Sequence, residues 1–353
     1  MKEYYIDSHK LIYHPKKVAD WTEGSDISPI YLEVSPTNAC NHKCRFCALD
    51  YVHGDPVFLD SNIFTRRIRE MSDFGVKSVM YAGEGEPLMH PDIEDLIETA
   101  DMCGIDTALT TNGTLLGKLN TENILKHLKW LRISINGGNR TSYADLHGCD
   151  EKEYDIVMDN LSMFTEEKRR HGSAATIGVQ AILLPENADC VYDLCVNIKE
   201  RGADYFIIKA YSQHLKNIKP QYSHINYEEY FLLENELKQL EDECFSIIFR
   251  KSSMLKVGTP KSYGKCNALD FFAYIDSHAR VMPCLAVLSM ENLSYGNMQK
   301  DSFADIWQSE KRKQVAGIME KDFPGYCRRL CRMDEINSYL WKLKFPAEHV
   351  NFI

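Results

Sequence analysis

The sequence predicts an α/β fold of parallel strands, with a small cysteine-bearing module towards the C-terminal end. From residue 29, short β-branched or aromatic runs alternate with longer amphipathic segments, this alternation stops after about residue 235, and four cysteines follow. Six strand-helix units with right-handed crossovers give either a doubly wound sheet or an incomplete barrel. In both architectures, functional side chains lie at the C-terminal ends of the strands.

The six units follow one another along the chain. Their strands are the runs PIYLEVSP, KSVMYAGE, TALTTNG, WLRISING, TIGVQAILLP and DYFIIKAY. Five amphipathic helices separate them: SNIFTRRIREMSDFG, DIEDLIETADMCG, ENILKHLK, YDIVMDNLSMFTEEKRRHG and CVYDLCVNIKERG.

Beyond the sixth strand the pattern changes. The stretch NYEEYFLLENELKQLEDECFS predicts a polar connecting helix, DFFAYIDSHARVMPC predicts a hairpin, and SFADIWQSEKRKQVAGIM predicts a helix capped by Asp301 or Ser302. We therefore expect an N-terminal extension over 1–28, a core over 29–235, a connecting helix over 236–260 and a C-terminal module over 261–353.

Composition excludes several classes of protein. With 353 residues, 44% of them hydrophobic and 26% charged, the chain does not resemble a disordered, collagenous or repeat-array protein. Its longest apolar runs are far shorter than the roughly 20 residues of a membrane helix, and MKEYYIDSHK lacks the apolar segment of a signal peptide. We therefore expect no membrane partner and a cytoplasmic location. A net charge of -10 argues against a nucleic-acid partner.

Twelve cysteines in a chain without a secretion signal do not fit a disulfide framework. Three of them, Cys40, Cys44 and Cys47, have C-x3-C-x2-C spacing in a loop after the first strand. A closed zinc site uses four ligands, whereas three thiolates on a four-iron cluster leave one iron open for chemistry. This spacing favours an open iron-sulfur centre, and a zinc loop completed by His42 or a distant ligand is the alternative.

Four later cysteines can ligate a second centre completely. Cys266 and Cys284 bracket the predicted hairpin, and Cys327 and Cys331 lie in GYCRRLC after the predicted helix. Because zinc and iron-sulfur centres use the same thiolate ligands, the spacing alone leaves a four-cysteine zinc site open.

The first cysteine loop, in which Phe46 precedes the last cysteine, resembles the signature of the radical S-adenosylmethionine (SAM) superfamily. The resemblance implies a partial (β/α)6 TIM-type barrel. It also implies a [4Fe-4S] cluster on Cys40, Cys44 and Cys47, whose fourth iron chelates the amino and carboxylate groups of SAM. Electron transfer, from a flavodoxin- or ferredoxin-type donor, then cleaves SAM to methionine and a 5′-deoxyadenosyl radical.

Polar groups at later strand ends extend this resemblance. In YAGEGEPLMHP, residues Gly85, Glu86 and Pro87 match the family's Gly-Gly-Glu-Pro element, which binds the methionine amino group, although Glu84 replaces its first glycine. The family's remaining contacts to SAM fall on strand ends, and with Phe46 they give these further expected cofactor-binding residues: Thr111, Asn112, Ser134, Asn136 and Gln180. The sixth strand ends in KAYSQH, which offers Lys209 and its neighbours for adenine or substrate.

The second cysteine set resembles the twitch domain, a shortened SPASM domain that carries one auxiliary [4Fe-4S] cluster on four cysteines. Because such a cluster has no free iron, its simplest role is to accept an electron when a substrate radical is oxidised. By analogy with aminocyclitol dehydrogenases, we expect hydrogen abstraction from a small polar substrate of carbohydrate or aminocyclitol type by a radical SAM oxidoreductase. The acidic net charge suits a neutral or cationic polyol.

Three alternatives to this oxidoreductase remain: an epimerase, a peptide-modifying enzyme and a non-enzymatic protein. An epimerase would need a thiol hydrogen donor, for which Cys149, after the segment LHG, is the candidate. Peptide modification (maturation of ribosomally made peptides) is the second, although only about 28 residues precede the first strand, so we expect no fused leader-binding domain. Molybdenum-cofactor cyclases are disfavoured, because their auxiliary cluster has three ligands and their chain ends in Gly-Gly, whereas this one ends in HVNFI. A two-zinc interaction protein is the non-enzymatic alternative.

Overall fold

The computed structural model describes residues 9–52 and 54–352. Its strands are β1 (Tyr31–Val34), β2 (Ser78–Tyr81), β3 (Asp106–Thr111), β4 (Leu128–Ser134), β5 (Thr176–Ile182), β6 (Tyr205–Lys209), β7 (Ser246–Phe249), β8 (Phe272–Ile275), β9 (Arg280–Met282) and β10 (Gly296–Asn297). They form one sheet in the order β10-β9-β8-β1-β2-β3-β4-β5-β6-β7.

The α-helices of the described residues lie mainly between these strands. They are α1 (Pro15–Thr22), α2 (Ser61–Phe74), α3 (Ile93–Met102), α4 (Thr121–His127), α5 (Arg140–His147), α6 (Lys152–His171), α7 (Val191–Glu200), α8 (Phe231–Lys238), α9 (Lys251–Leu255), α10 (Phe303–Gln308), α11 (Glu310–Lys321) and α12 (Asp334–Lys344). No helix among the described residues combines the length and apolar character that crossing a membrane requires.

The strand order distinguishes the two predicted architectures. Strands β1 to β7 are parallel to their neighbours and follow their order along the chain, with at least one α-helix in every crossover. A doubly wound sheet reverses its strand order at a switch point, and strands β1 to β7 do not. The fold is therefore a partial α/β barrel, which confirms the predicted fold class.

The sheet separates an apolar face from a polar one. On β5, Ile177, Val179 and Ala181 are fully buried in the main hydrophobic core. Because side chains alternate along a strand, Gln180 points to the opposite face, where it contacts side chains of the two neighbouring strands. The inner face of the barrel therefore carries polar groups at the carboxyl ends of its strands.

The interval 236–260 corrects one expectation. We predicted a connecting helix there, but it contains the end of α8, strand β7 and helix α9. Strand β7 pairs in parallel with β6, so the barrel has one more strand than predicted. A four-residue strand such as Ser246–Phe249 is stabilised by its ladder to β6, which local sequence periodicity does not reveal.

The C-terminal hairpin continues the barrel sheet. Strands β8 and β9 pair antiparallel as predicted, and β8 also pairs in parallel with β1. The hairpin thus covers an edge of β1 that would otherwise expose unpaired backbone groups. Ser302 is the N-cap of α10, its hydroxyl accepting a hydrogen bond from Asp305 N at 3.1 Å.

Candidate functional site

The first cysteine loop follows β1 and is held against the end of α5. Lys43 N donates to His147 O at 3.0 Å, and Arg45 N donates to Leu146 O at 2.9 Å. Gly148 then turns the chain with φ of 61°, and a Cβ there would lie 2.4 Å from Lys43 O. Only glycine fits this contact, so α5 and the cysteine loop are built to meet.

The loop brings Cys40, Cys44 and Cys47 together at the mouth of the barrel. All three thiols are free and partly buried. Burial raises the pKa of Cys40 to about 11, and burial together with the other two thiols holds the pKa of Cys44 well above its ordinary value. Neutral thiols crowded in this way are stabilised as thiolates when a metal centre supplies positive charge.

The four C-terminal cysteines are also free thiols with raised pKa values. Cys266, Cys284, Cys327 and Cys331 are free, and burial is the main cause that raises the pKa of each. The other three thiols raise the pKa of Cys266 further. Residues predicted from spacing alone as one ligand set therefore do meet in space.

Close groups of possible ligand atoms lie beside the first cysteine loop. Among the described residues, three such atoms lie within 4.8 Å of one another in His42, Cys44 and His147, and in His42, Cys149 and Glu153. Both groups contain His42, the residue that a zinc loop would use, and at most one cysteine of the predicted set.

His147 contacts the sulfur of Cys44. Its Nδ1 lies 3.7 Å from Cys44 Sγ, and its Nε2 accepts a hydrogen bond from the Asn136 backbone N–H at 3.2 Å. Because a backbone amide only donates, Nε2 is unprotonated and Nδ1 carries the hydrogen that points to the sulfur. Sequence reasoning missed His147, since it lies far from the cysteine motif along the chain.

The loop after β2 docks directly on the cysteine loop. A Cβ on Gly85 would lie 2.1 Å from Ala39 O, and Glu86 N donates to that carbonyl at 2.8 Å. The buried Glu86 carboxylate accepts hydrogen bonds from Thr111 Oγ1 at 2.5 Å, Asn112 N at 2.7 Å and Leu88 N at 3.1 Å. Pro87 is also buried. The structure therefore brings together Gly85, Glu86, Pro87, Thr111 and Asn112.

Glu84, where the family's element has glycine, has a contact of its own. Its Oε2 accepts a hydrogen bond from Ser277 N in the β8–β9 turn at 2.8 Å, and its backbone N donates to Ser35 Oγ at 3.1 Å. The left-handed residue of this loop is Gly83, with φ of 129°, so position 84 needs no glycine. Glu84 ties the barrel to the C-terminal hairpin, a role that sequence reasoning missed.

The remaining strand-end residues divide into two groups. Gln180 donates from Nε2 to Ser134 Oγ at 2.7 Å and accepts at Oε1 from Lys209 Nζ at 2.9 Å, so these three form a polar row across β4, β5 and β6. Asn136 is used within the protein, because its side-chain oxygen accepts from Ile182 N at 2.7 Å. The row faces the barrel interior, whereas Asn136 bonds to the backbone at the end of the neighbouring strand β5.

One cavity of about 450 Å³ lies between the two cysteine sets. Phe46 and Cys47 border it on the barrel side, and the opposite wall includes the second set: Cys266, Cys284, Cys327 and Cys331. Its volume is within the usual range for ligand pockets. Cys149 is not among the lining residues; it lies beside His42 and Glu153, behind the cysteine loop.

A partial parallel barrel with an open three-thiol loop, and a four-thiol set across a shared cavity, defines an iron-sulfur enzyme. The family model described as the radical SAM superfamily matches residues 34–195, and one described as an iron-sulfur cluster-binding domain, SPASM, matches residues 266–332. The chain belongs to the radical SAM superfamily and carries a C-terminal SPASM domain. Its cofactors are SAM and [4Fe-4S] clusters, as predicted.

One curated relative and two solved structures are similar over most of the chain. A tungsten-containing aldehyde ferredoxin oxidoreductase cofactor-modifying protein of Pyrococcus furiosus is 23% identical over 308 residues, covering 80% of this chain and 81% of that protein. SuiB of Streptococcus suis, solved with bound SAM, has a TM-score of 0.68 at 22% identity over 88% of this chain and 72% of SuiB. Native anSMEcpe with bound SAM has a TM-score of 0.56 at 17% identity over 90% of this chain and 97% of that one. These two structures show the shared fold.

Proposed function

We propose that this enzyme abstracts a hydrogen atom from a small polar substrate in the cavity and oxidises the resulting radical. The observation that carries this proposal is that Cys47 and the four C-terminal cysteines border the same cavity. A substrate there lies between the place where the radical is generated and the place where an electron is accepted.

Each part of the site has a proposed role. Cys40, Cys44 and Cys47 would hold the cluster that binds SAM, and Cys266, Cys284, Cys327 and Cys331 would hold the auxiliary cluster. When bound, the first cluster and SAM supply a 5′-deoxyadenosyl radical, and the second cluster supplies a one-electron acceptor. Apolar side chains in the cavity wall, including Phe46, Leu49 and Leu285, keep water from a substrate radical.

The other predicted contacts to SAM are part of this proposal. We assign Gly85, Glu86, Pro87, Thr111 and Asn112 to SAM because their loops meet the cysteine loop at Ala39 and Asn41, on either side of Cys40. There Glu86 N donates to Ala39 O, and Asn112 Nδ2 donates to Asn41 Oδ1 at 2.8 Å. Ser134, Asn136 and Gln180 remain predictions for the ribose and carboxylate. A flavodoxin- or ferredoxin-type protein in the cytoplasm is the proposed electron donor.

Peptide modification is the second candidate. SuiB has been solved with its precursor peptide SuiA, and anSMEcpe with bound peptides, and both share this fold. The cavity volume also suits a single peptide side chain. Epimerisation has less support, because the proposed donor Cys149 does not line the cavity.

Deuterium transfer tests the proposal. Anaerobically reconstituted enzyme is incubated with SAM, a reductant and deuterated carbohydrates, aminocyclitols or peptides, and 5′-deoxyadenosine is analysed by mass spectrometry. Deuterium from a carbohydrate or aminocyclitol supports the first candidate, and deuterium from a peptide alone replaces it with the second. Cys40→Ala, Cys44→Ala and Cys47→Ala should each abolish SAM cleavage, and cleavage retained in all three would contradict the ligand assignment.

Replacement of the four C-terminal cysteines by Ala tests the oxidation step. Iron should fall from about eight to about four per chain, as expected for loss of one of two four-iron clusters. SAM cleavage should persist, while oxidised product should no longer form. Normal product formation in this folded variant would show that the auxiliary centre is structural.

A further inference from the structure

The cavity between the two cysteine sets is lined by more cationic than anionic side chains. Its five cations are Lys209, Arg250, Lys256, Arg328 and Arg332, and its three carboxylates are Glu33, Asp334 and Glu335. The chain as a whole is acidic, with a net charge of -10, so this local charge is opposite to the average. A cationic cavity inside an acidic protein focuses anions into the site.

The carboxylates that line the cavity are already paired. Glu33 contacts Arg332, Glu335 contacts Lys256, and Asp334 accepts from Lys261 Nζ at 2.7 Å. They are therefore not available to neutralise Lys209 or Arg328.

Lys209 lies close to several of the other cationic side chains. Its ammonium donates one hydrogen bond to Gln180 Oε1, and no carboxylate among the described residues pairs with it. Burial, together with the guanidinium groups of Arg132, Arg250 and Arg328, lowers the pKa of Lys209 to about 7. A lysine held near guanidinium groups is stabilised when an anion joins them.

Arg328 approaches the same point from the C-terminal module. Its Nε donates to Ser212 Oγ at 3.1 Å, and the described residues provide no carboxylate partner for it. Arg328 also lies near Cys331, so it faces both the auxiliary site and the barrel. Lys209 and Arg328 therefore border the same cavity, one from the barrel and one from the module.

We infer that the substrate carries an anionic oxygen group, a carboxylate or a phosphate, that binds between Lys209 and Arg328. This inference rests on the proposed function of the cavity. It replaces the neutral or cationic polyol suggested by net charge, because substrate binding depends on the charge inside the cavity and not on its average over the surface. Lysine and arginine N–H groups make strong charge-assisted bonds to carboxylate and phosphate oxygens.

The experiment uses enzyme with both clusters and saturating SAM, so that the carboxylate of SAM cannot be the bound anion. Inorganic phosphate and succinate are titrated at constant ionic strength, with sorbitol and choline chloride as neutral and cationic controls, and the apparent thermal midpoint is followed. We expect a saturable increase with phosphate or succinate only. A response to phosphate alone indicates a phosphorylated substrate, and a response to succinate alone indicates a carboxylate.

Three variants identify the site. Lys209→Met and Arg328→Met should each weaken anion binding about tenfold or more, since each removes a charge-assisted bond, and Arg328→Lys should restore part of it. Arg170→Met, at an exposed ion pair with Glu167 outside the cavity lining, should leave binding unchanged. Equal iron content in all variants excludes loss of a cluster as the cause.

Two results would overturn the inference: no saturable response to either anion, or an equal response in the Lys209 and Arg328 variants. If either methionine variant does not fold, Lys209→Gln or Arg328→Gln is titrated in its place. Anion binding that persists in an enzyme unable to abstract hydrogen from any candidate would leave the anion site intact and contradict only the proposed function.

Discussion

At the scale of single residues, Glu86 links the proposed SAM-binding loops. Its carboxylate has about four acceptor positions and three of them are filled by Thr111, Asn112 and Leu88, which leaves one for an external donor. Burial raises the pKa of Glu86 to about 7. An ammonium group placed there would favour the ionised form and gain a charge-assisted bond.

Glu86→Gln should therefore weaken SAM binding while leaving iron content unchanged. The variant loses one charged contact, worth roughly 1.5 to 3 kcal/mol, which corresponds to a tenfold to hundredfold increase in the dissociation constant. Equilibrium binding of SAM and iron analysis measure the two effects. The exposed Glu122→Gln is the control, and equal SAM affinity in all three proteins would show that Glu86 only shapes the loop.

Lys209→Met should stabilise the protein in a pH-dependent way. The folded-state pKa of about 7 is lower than the ordinary value of 10.5, so the unfolded chain binds more protons between these values and wild-type stability rises with pH across them. Methionine removes this dependence. The variant should have the higher thermal midpoint at pH 7 and below, and the difference should shrink towards pH 10.

Thermal midpoints at a fixed scan rate and several pH values measure this effect. Lys256→Met, which breaks the ion pair with Glu335 at a more exposed position, should show no such gain. A stability difference independent of pH in the Lys209 variant would contradict the assigned charge.

At the scale of elements, the β2 loop and the cysteine loop fit together through Gly85. Gly85→Ala would place a Cβ 2.1 Å from Ala39 O, a backbone atom that precedes Cys40. The loops must then separate, so we expect loss of SAM binding and reduced iron at the first site with the helical content unchanged. Iron analysis, SAM binding and circular dichroism measure these effects.

Gly317 in α11 provides a matched comparison. A Cβ there meets nothing within 4 Å, and alanine favours a helix interior by about 1 kcal/mol over glycine. Gly317→Ala should keep full iron content and SAM affinity. If Gly85→Ala behaved in the same way, the close contact between the loops would not matter for the site.

At the scale of the whole molecule, barrel and C-terminal hairpin share one sheet. Strand β8 pairs with β1 on one side and β9 on the other, and Glu84 joins the barrel to Ser277 in the hairpin turn. The two parts are therefore expected to open cooperatively.

Glu84→Gln should lower amide protection in β1 as well as in β8 and β9. The buried N–H of Ser277 loses a carboxylate acceptor, at a cost of about 1 to 3 kcal/mol, and the strands share one ladder. Hydrogen exchange with mass spectrometry measures the peptides separately, with the exposed Glu310→Gln as control. Faster exchange in the hairpin alone would contradict a common opening.

The sequence by itself determined the α/β class, the succession of strand-helix units, both cysteine sets and the β8–β9 hairpin. These follow from local properties: hydrophobic periodicity, turn residues and ligand spacing within a short segment. Family resemblance added the cofactors, which the comparisons confirm. Glu86 and its neighbours could be selected because they lie directly after predicted strands.

Only the tertiary structure decided which distant residues meet. Strand β7, the pairing of β8 with β1, the contact of His147 with Cys44 and the meeting of Lys209 with Arg328 all join segments far apart in the sequence. Short strands are stabilised by their neighbours in the sheet, and the charge inside a cavity depends on which side chains line it. Neither property is encoded in a local pattern, so net charge suggested a neutral or cationic polyol, whereas the side chains that line the cavity led us to infer an anion.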